Sequence, residues 1–206
     1  MQNEAFNFEI QRKTFHLYGL IFPLAYAFTS KMSISIFLLV VVGFTLYVDI
    51  SRHHNPKIKE VVDKFFSKYL RNKEKTSSSP PPLSGASYMA LGLLASCLFF
   101  SKGLAITSWL ILIISDCVAA LLGMKYGTPL QNGKSLFGAG AFFISSVFIS
   151  VVAYFFVSHH TSFVIIIFSS AVATLAEFYA DQIKINDNLS IPFSYCLTTV
   201  ILGLIL

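Results

Sequence analysis

Few residues of this chain have side chains that do chemistry, and several of them stand where an apolar sequence should not carry them. Asp116 lies inside a long apolar run. A carboxylate there costs roughly 2.5–3.5 kcal/mol at mid-helix on insertion scales, so it calls for a function or a partner. Steps of 3, 4, 7 and 11 lead from it to Ala119, Ala120, Gly123 and Gly127, a single helix face with a carboxylate at its deep end and little bulk above. Such a face lets a ligand or another helix come close to the backbone; Gly123-x-x-x-Gly127 on its own reads as a packing seam. The turn-rich segment Thr128-Pro-Leu-Gln-Asn-Gly133 then delivers Lys134 and Ser135 to a new apolar helix that opens Leu136-Phe137-Gly138. Unpaired N–H groups at a helix start, with a lysine beside them, suit a phosphate. Ser135 also reads as a plain N-cap and Lys134 as a snorkelling charge.

Three further groups belong to the same side of the chain. Arg12, Lys13 and His16 open the first apolar run, with Arg12 and His16 four residues apart on one face; they also read as a plain basic anchor at the helix entry. Glu177 and Asp181 close the sixth run, and Asp187-Asn188 precede Ile191-Pro192. Several carboxylates at one depth suggest metal ligands or a base. With Lys134 they make an anion-plus-metal site, carboxylate oxygen for Mg²⁺ and cations for phosphate. The candidate metal ligands are Asp116, Glu177 and Asp187. Asp49 and Arg52 read instead as a structural ion pair.

These residues must be positioned by membrane helices. The chain has 206 residues, 55% hydrophobic and 12% charged, with mean hydropathy +0.69, against about 25% charged in an ordinary soluble domain. Seven apolar stretches are legible, at roughly 14–30, 32–50, 85–101, 103–123, 136–157, 161–180 and 190–206. Each is near the ~20 residues that cross a bilayer as a helix, and none alternates as a barrel strand would. The expected fold is all-α, a polytopic integral membrane protein of about seven spans forming one domain over residues 1–206. Thirteen of the fifteen Lys and Arg fall on one side of this scheme, Lys31 and Lys102 on the other. The positive-inside rule puts the N-terminus in the cytoplasm and the C-terminus opposite. At that orientation Asp116 sits about 12 Å deep from the cytoplasmic rim. The net charge of +5 lies between apolar runs rather than across a folded face, which argues against a nucleic-acid partner and for lipid headgroups and a phosphorylated substrate.

Between the second and third stretches, Lys57–Arg71 carries Ile58, Val61, Val62, Phe65, Phe66, Tyr69 and Leu70 on one helical face and mostly lysines opposite. This predicts an amphipathic helix over 57–71, lying in the cytoplasmic interface or else docked on the spans, followed by a Pro- and Ser-rich connector at 76–85. The cysteines Cys97, Cys117 and Cys196 all fall in apolar runs and read as small core residues. No cleavable signal peptide and no residue-level repeat is evident.

The ordered set of motifs resembles the CTP-dependent lipid-alcohol kinases (dolichol, phytol and yeast-type diacylglycerol kinases), relatives of phosphatidate cytidylyltransferase. It comprises Arg12-Lys13-x-x-His16, Asp116-x-x-Ala119-x-x-x-Gly123-x-x-x-Gly127, Lys134-Ser135-x-x-Gly138, and Glu177 followed by Asp187-Asn188-Leu189-Ser190-Ile191-Pro192. Leu70-Arg71-x-x-Glu74 and Gly85-Ala86-x-Tyr88-x-x-x-Gly92 are similar to bacterial members. The chain departs from many relatives in having Gly133 and Phe137 around the Lys-Ser pair. It also lacks the Ser-Pro-Lys-Lys-Thr-x-Glu-Gly-like segment of the cytidylyltransferases, which favours the kinase branch.

The resemblance implies transfer of the γ-phosphate of CTP, with Mg²⁺, to the hydroxyl of a membrane lipid alcohol at the cytoplasmic face. In that reading Asp116, with Glu177 or Asp187, holds magnesium. Arg12, Lys13 and Lys134 neutralise phosphate, and Ala119, Gly123, Gly127, Ser135, Gly138 and Asn188 line the nucleotide. Asp187, Glu177 or His16 accepts the hydroxyl proton. The same groups would serve cytidylyl transfer to a lipid phosphate. A transporter or a non-catalytic scaffold is the reading from another class, disfavoured because the far side has almost no charge. The alcohol, the base preference and the oligomeric state stay open.

Overall fold

The computed structural model describes residues 2–66, 69, 83–130, 132–157 and 161–205, and every regular element among them is helical. The helices are α1 Gln2–Leu17, α2 Ile21–Phe28, α3 Lys31–His54, α4 Pro56–Phe66, α5 Gly85–Phe99, α6 Lys102–Tyr126, α7 Leu136–Phe156, α8 Phe163–Phe178 and α9 Asp187–Ile205. The protein is an all-α integral membrane protein. Helices α3, α6, α7 and α9 are long and apolar enough to cross a bilayer alone, and α5 and α8 are shorter apolar helices.

The first apolar stretch differs from expectation. Its helix begins at Gln2 and is interrupted by a 3₁₀ turn at Tyr18–Leu20. The cause is Pro23, which has no N–H for the carbonyl of Gly19 and whose ring crowds that carbonyl, so the chain tightens just ahead of it. Elsewhere the ends are set by serines. Ser30, Ser84, Ser135 and Ser162 each accept the N–H three residues on, at the starts of α3, α5, α7 and α8.

Helix α6 is the most enclosed, lined by Leu104, Ala105, Ile106, Trp109, Ile111, Leu112 and Ile113. Helices α1, α2, α7 and α9 contact it, while α3 and α5 pair and α9 joins α5 to α8. Between helices the apolar core is stitched by hydroxyl and indole bonds, which hold well where no water competes. Trp109 Nε1 donates to Ser96 Oγ at 2.6 Å, Tyr195 OH to Ser150 Oγ at 2.7 Å and Thr199 Oγ1 to Ser169 Oγ at 2.9 Å.

The amphipathic helix is present over Pro56–Phe66; the remainder of the expected 57–71 span, apart from Tyr69, and connector residues 76–82 lie outside the described residues. Val62 is buried, whereas Val61, Phe65 and Phe66 are exposed. Its end meets α1, with the Phe15 ring 6.2 Å from Phe66 and 4.8 Å from Tyr69.

The far end holds a short repeat that spacing alone does not register. Phe28-Thr29-Ser30-Lys31 and Phe99-Phe100-Ser101-Lys102 make the same extended two-residue turn between helices. Their lysines then cross. Lys31 Nζ donates to the carbonyls of Leu98 (3.0 Å) and Phe100 (3.1 Å), and Lys102 Nζ to those of Ala27 (3.0 Å) and Thr29 (2.9 Å). Each hairpin thus caps the helix end of the other in a pseudo-twofold arrangement, a cation against the negative end of a helix.

Candidate active site

At the opposite end, α1 presents Glu9, Arg12, Lys13 and His16 as one stripe, spaced 3, 4 and 7 along the helix. Glu9 holds Arg12 in a fork, Nε to Oε2 at 3.0 Å and Nη2 to Oε1 at 2.5 Å. Burial pushes the Glu9 carboxyl up, but the hydrogen bonds and charge of Arg12, with Lys13 behind, hold it below the ordinary glutamate value. Against the same burial, Glu9 keeps Arg12 protonated more firmly than usual.

Lys13 is 1% exposed and reaches across to Asp116, 4% exposed, with its ammonium on Oδ2. His16 Nε2 lies 3.7 Å from the same oxygen and 3.4 Å from the carbonyl of Leu112. That carbonyl belongs to a single π-helical turn, Ile111–Ser115, immediately before Asp116. A π turn displaces carbonyls from the regular ladder and is often found where a helix carries a function. Here it faces the histidine and aims the carboxylate that follows.

Lys134 is delivered by a tight loop. Gly133 adopts φ +76°, a conformation that favours glycine. Asn132 Oδ1 accepts from the Lys134 backbone N–H at 3.1 Å while its amide donates to the carbonyl of Phe178 at 3.1 Å. The Lys134 ammonium then meets Glu177, bonding Oε1 at 2.5 Å and also the Glu177 carbonyl at the C-terminal end of α8.

The glycine face of α6 packs closely on the start of α7. A Cβ at Gly127 would stand 2.2 Å from Ser135 Oγ, one at Gly123 3.2 Å from the Gly138 Cα, and one at Gly138 2.8 Å from the Ala119 carbonyl. Ser135 caps α7 by accepting the Gly138 N–H at 3.0 Å and donates to the Gly123 carbonyl at 3.3 Å. The stripe Ala119, Gly123, Gly127 is therefore a seam that seats the start of α7 and with it Lys134.

Asp187 and Asn188 begin α9, both buried. Pro192 supplies no N–H for the Asn188 carbonyl four residues back. That carbonyl packs on α5 so closely that a Cβ at Gly92 would stand 2.3 Å from it, and the Asn188 amide donates to the Gly85 carbonyl at 3.2 Å. Asn188 is thus a docking residue between helices. Asp187, its neighbour, lies within electrostatic reach of Arg12 and Glu177, as does Asp116. Asp181 is exposed.

The structure therefore gathers Arg12, Lys13, His16, Asp116, Lys134, Glu177 and Asp187 from α1, α6, the α6–α7 loop, α8 and α9 at one end of the bundle. Among the described residues no group of three or more His, Cys, Asp or Glu could hold a metal ion, so Asp116, Glu177 and Asp187 are not a ready-made cage; lysines engage two of the three. Magnesium, however, is usually held by one or two carboxylates together with substrate phosphates and water. Separate carboxylates beside cations fit an ion that arrives with a triphosphate. Sequence reasoning missed Glu9, whose Glu9-x-x-Arg12 spacing was a usable signal, and Asn132, whose role in holding Lys134 left none.

No protein-family model and no solved structure matches the chain. It is 50% identical over 206 residues, the full length of both chains, to an uncharacterized protein of Rickettsia prowazekii (strain Madrid E), and it belongs to the same family. An uncharacterized protein of Methanocaldococcus jannaschii is 28% identical over 189 residues, covering 90% of this chain and 89% of that one. The CTP-dependent diacylglycerol kinase 1 of Eremothecium gossypii is 32% identical over 151 residues, covering 71% of this chain and 46% of the kinase.

Proposed function

We propose that the protein is a CTP-dependent kinase that transfers the γ-phosphate to the hydroxyl of a membrane lipid alcohol at the cytoplasmic face. The observation that carries this reading is the meeting of three cations and three carboxylates from five separate parts of the chain at one end of an apolar bundle. The partial likeness to a CTP-dependent diacylglycerol kinase supports the donor and the acceptor class. Phosphoryl transfer asks a protein mainly for positioning and charge stabilisation, and this cluster is equipped for both.

Arg12, Lys13 and Lys134 neutralise the phosphates. Glu9 keeps the Arg12 fork oriented, and Asn132 with Gly133 keeps Lys134 at the helix start. Asp116, with Glu177 or Asp187, would hold Mg²⁺, which when bound shields phosphate charge and polarises the transferred group. The acceptor keeps its chain in lipid and brings its hydroxyl to the rim, where Asp187, Glu177 or His16 takes the proton. Ser135, Gly123, Gly127 and Gly138 act by holding α7 against α6. The basic residues share this end with the N-terminus, which supports a cytoplasmic N-terminus.

The test uses purified protein in nanodiscs with magnesium, γ-labelled CTP and a panel of diacylglycerol, polyprenol and phytol. Label is expected in the lipid product, and Asp116→Asn is expected to abolish it. Release of labelled pyrophosphate when phosphatidate is supplied in place of the alcohols, with no label in lipid, would instead assign cytidylyl transfer, and undiminished turnover by Asp116→Asn would remove the metal assignment.

A further inference from the structure

A second buried polar cluster stands beside the site. Asp49, 3% exposed near the end of α3, receives three hydrogen bonds on Oδ2: the Ser84 N–H at 2.7 Å, the Ser84 hydroxyl at 2.8 Å and the Ser87 hydroxyl at 2.6 Å. Its Oδ1 lies 3.3 Å from Arg52 Nη2. Two apolar helices need no buried carboxylate to pack, and burying one is costly unless donors surround it. What this carboxylate gains is register, because Ser84 is the N-cap of α5 and Ser87 lies in its first turn. Between them is Gly85, whose carbonyl takes the Asn188 amide, and two turns on is Gly92, where the Asn188 carbonyl rests. The chain of contacts runs from Asp49 through the first turn of α5 to Asn188, and so to Asp187.

We propose that Asp49 is a positioning residue for Asp187, fixing the height of α5 and thereby the first turn of α9 in the site. The inference rests on the reading that Asp187 serves phosphoryl transfer, but its structural half is testable without turnover. In nanodiscs, Asp49→Asn is expected to raise hydrogen exchange of the amides at 188–190 about tenfold while leaving 9–16 in α1 unchanged. In the CTP assay it is expected to lower kcat about 10–100-fold, as loss of a supporting contact does, with KM for CTP nearly unchanged, because Arg12, Lys13 and Lys134 stand on other elements. The pair Asp49→Asn/Asp187→Asn is expected to be no slower than Asp187→Asn alone. Ser87→Ala removes a single donor and should give the same pattern in smaller measure where Asp49→Asn folds poorly. Unchanged exchange at 188–190, or rate losses of Asp49→Asn and Asp187→Asn that multiply, would overturn the proposal. If the wild-type protein transfers no phosphate, the kinase reading fails while the exchange result still decides the positioning.

Discussion

Lysines bind at both ends of this bundle, but to different partners. At the far end Lys31 and Lys102 are exposed and rest on helix-end carbonyls. At the site end Lys13 and Lys134 meet carboxylates, the first pair buried on both sides and the second with a half-buried lysine. A carbonyl neutralises nothing, so the far pair acts as a mechanical cap worth a fraction of a kilocalorie. A buried ammonium and carboxylate depend on one another, and removing either strands a charge in a medium of low dielectric. The same residue type is therefore a fastener on one side and part of a charge-balanced site on the other.

The largest effect expected from breaking that contrast is at Lys13. Lys13→Met leaves the buried Asp116 carboxylate with only His16 beside it, and should destabilise the protein by about 3–5 kcal/mol, read as a lower melting temperature and a lower denaturation midpoint. Lys13→Met/Asp116→Leu should recover most of that stability and none of the phosphoryl transfer, which separates the pair's structural part from its chemical part. Lys134→Met comes next. This pair is less enclosed on the lysine side, with the Lys134 side chain 19% exposed against 9% for Glu177, so a loss of about 1.5–3 kcal/mol is expected, together with weakened nucleotide binding in equilibrium titrations. Lys31→Met and Lys102→Met should each cost about 0.3–1 kcal/mol, by similar amounts, with turnover at the wild-type rate. A far-side variant that stops turnover would erase the distinction between the two ends.

The smallest expected effect is at Glu9 and depends on pH. Its folded carboxyl titrates below the ordinary value of about 4.3, as Arg12 outweighs its burial. A depressed carboxylate contributes stability above the unfolded value and loses it as pH falls through the folded one. Wild type should therefore be more stable than Glu9→Gln at pH 6, and the difference should vanish progressively below about pH 4 in melting curves taken side by side.

How much was legible in advance differs from element to element. The helices were, because apolar run length and the cost of unsatisfied backbone groups in lipid leave little choice. Asp116 and Glu177 stood out because charge is rare in such runs, and Lys134 and Asp187 because each stands just before one. The glycine face was legible as a face, but not which part of the chain packs on it. A stripe without side chains looks the same whether a nucleotide or Ser135 and Gly138 fill it. The Ser84–Ser87 clasp on Asp49 and the crossed lysines gave no signal, since each joins segments far apart in the chain.

By itself the amino-acid order determined an all-α membrane protein, the residues sharing each helix face, and the scarcity of charge that marks one end. Helical period and hydropathy are local properties, readable within a few turns. Only the tertiary structure decided that Lys13 answers Asp116, 103 residues away, that Lys134 answers Glu177, and that Asn188 docks on α5. Those pairings follow from how helices cross, and crossing depends on the shapes of two surfaces that meet only when the chain folds.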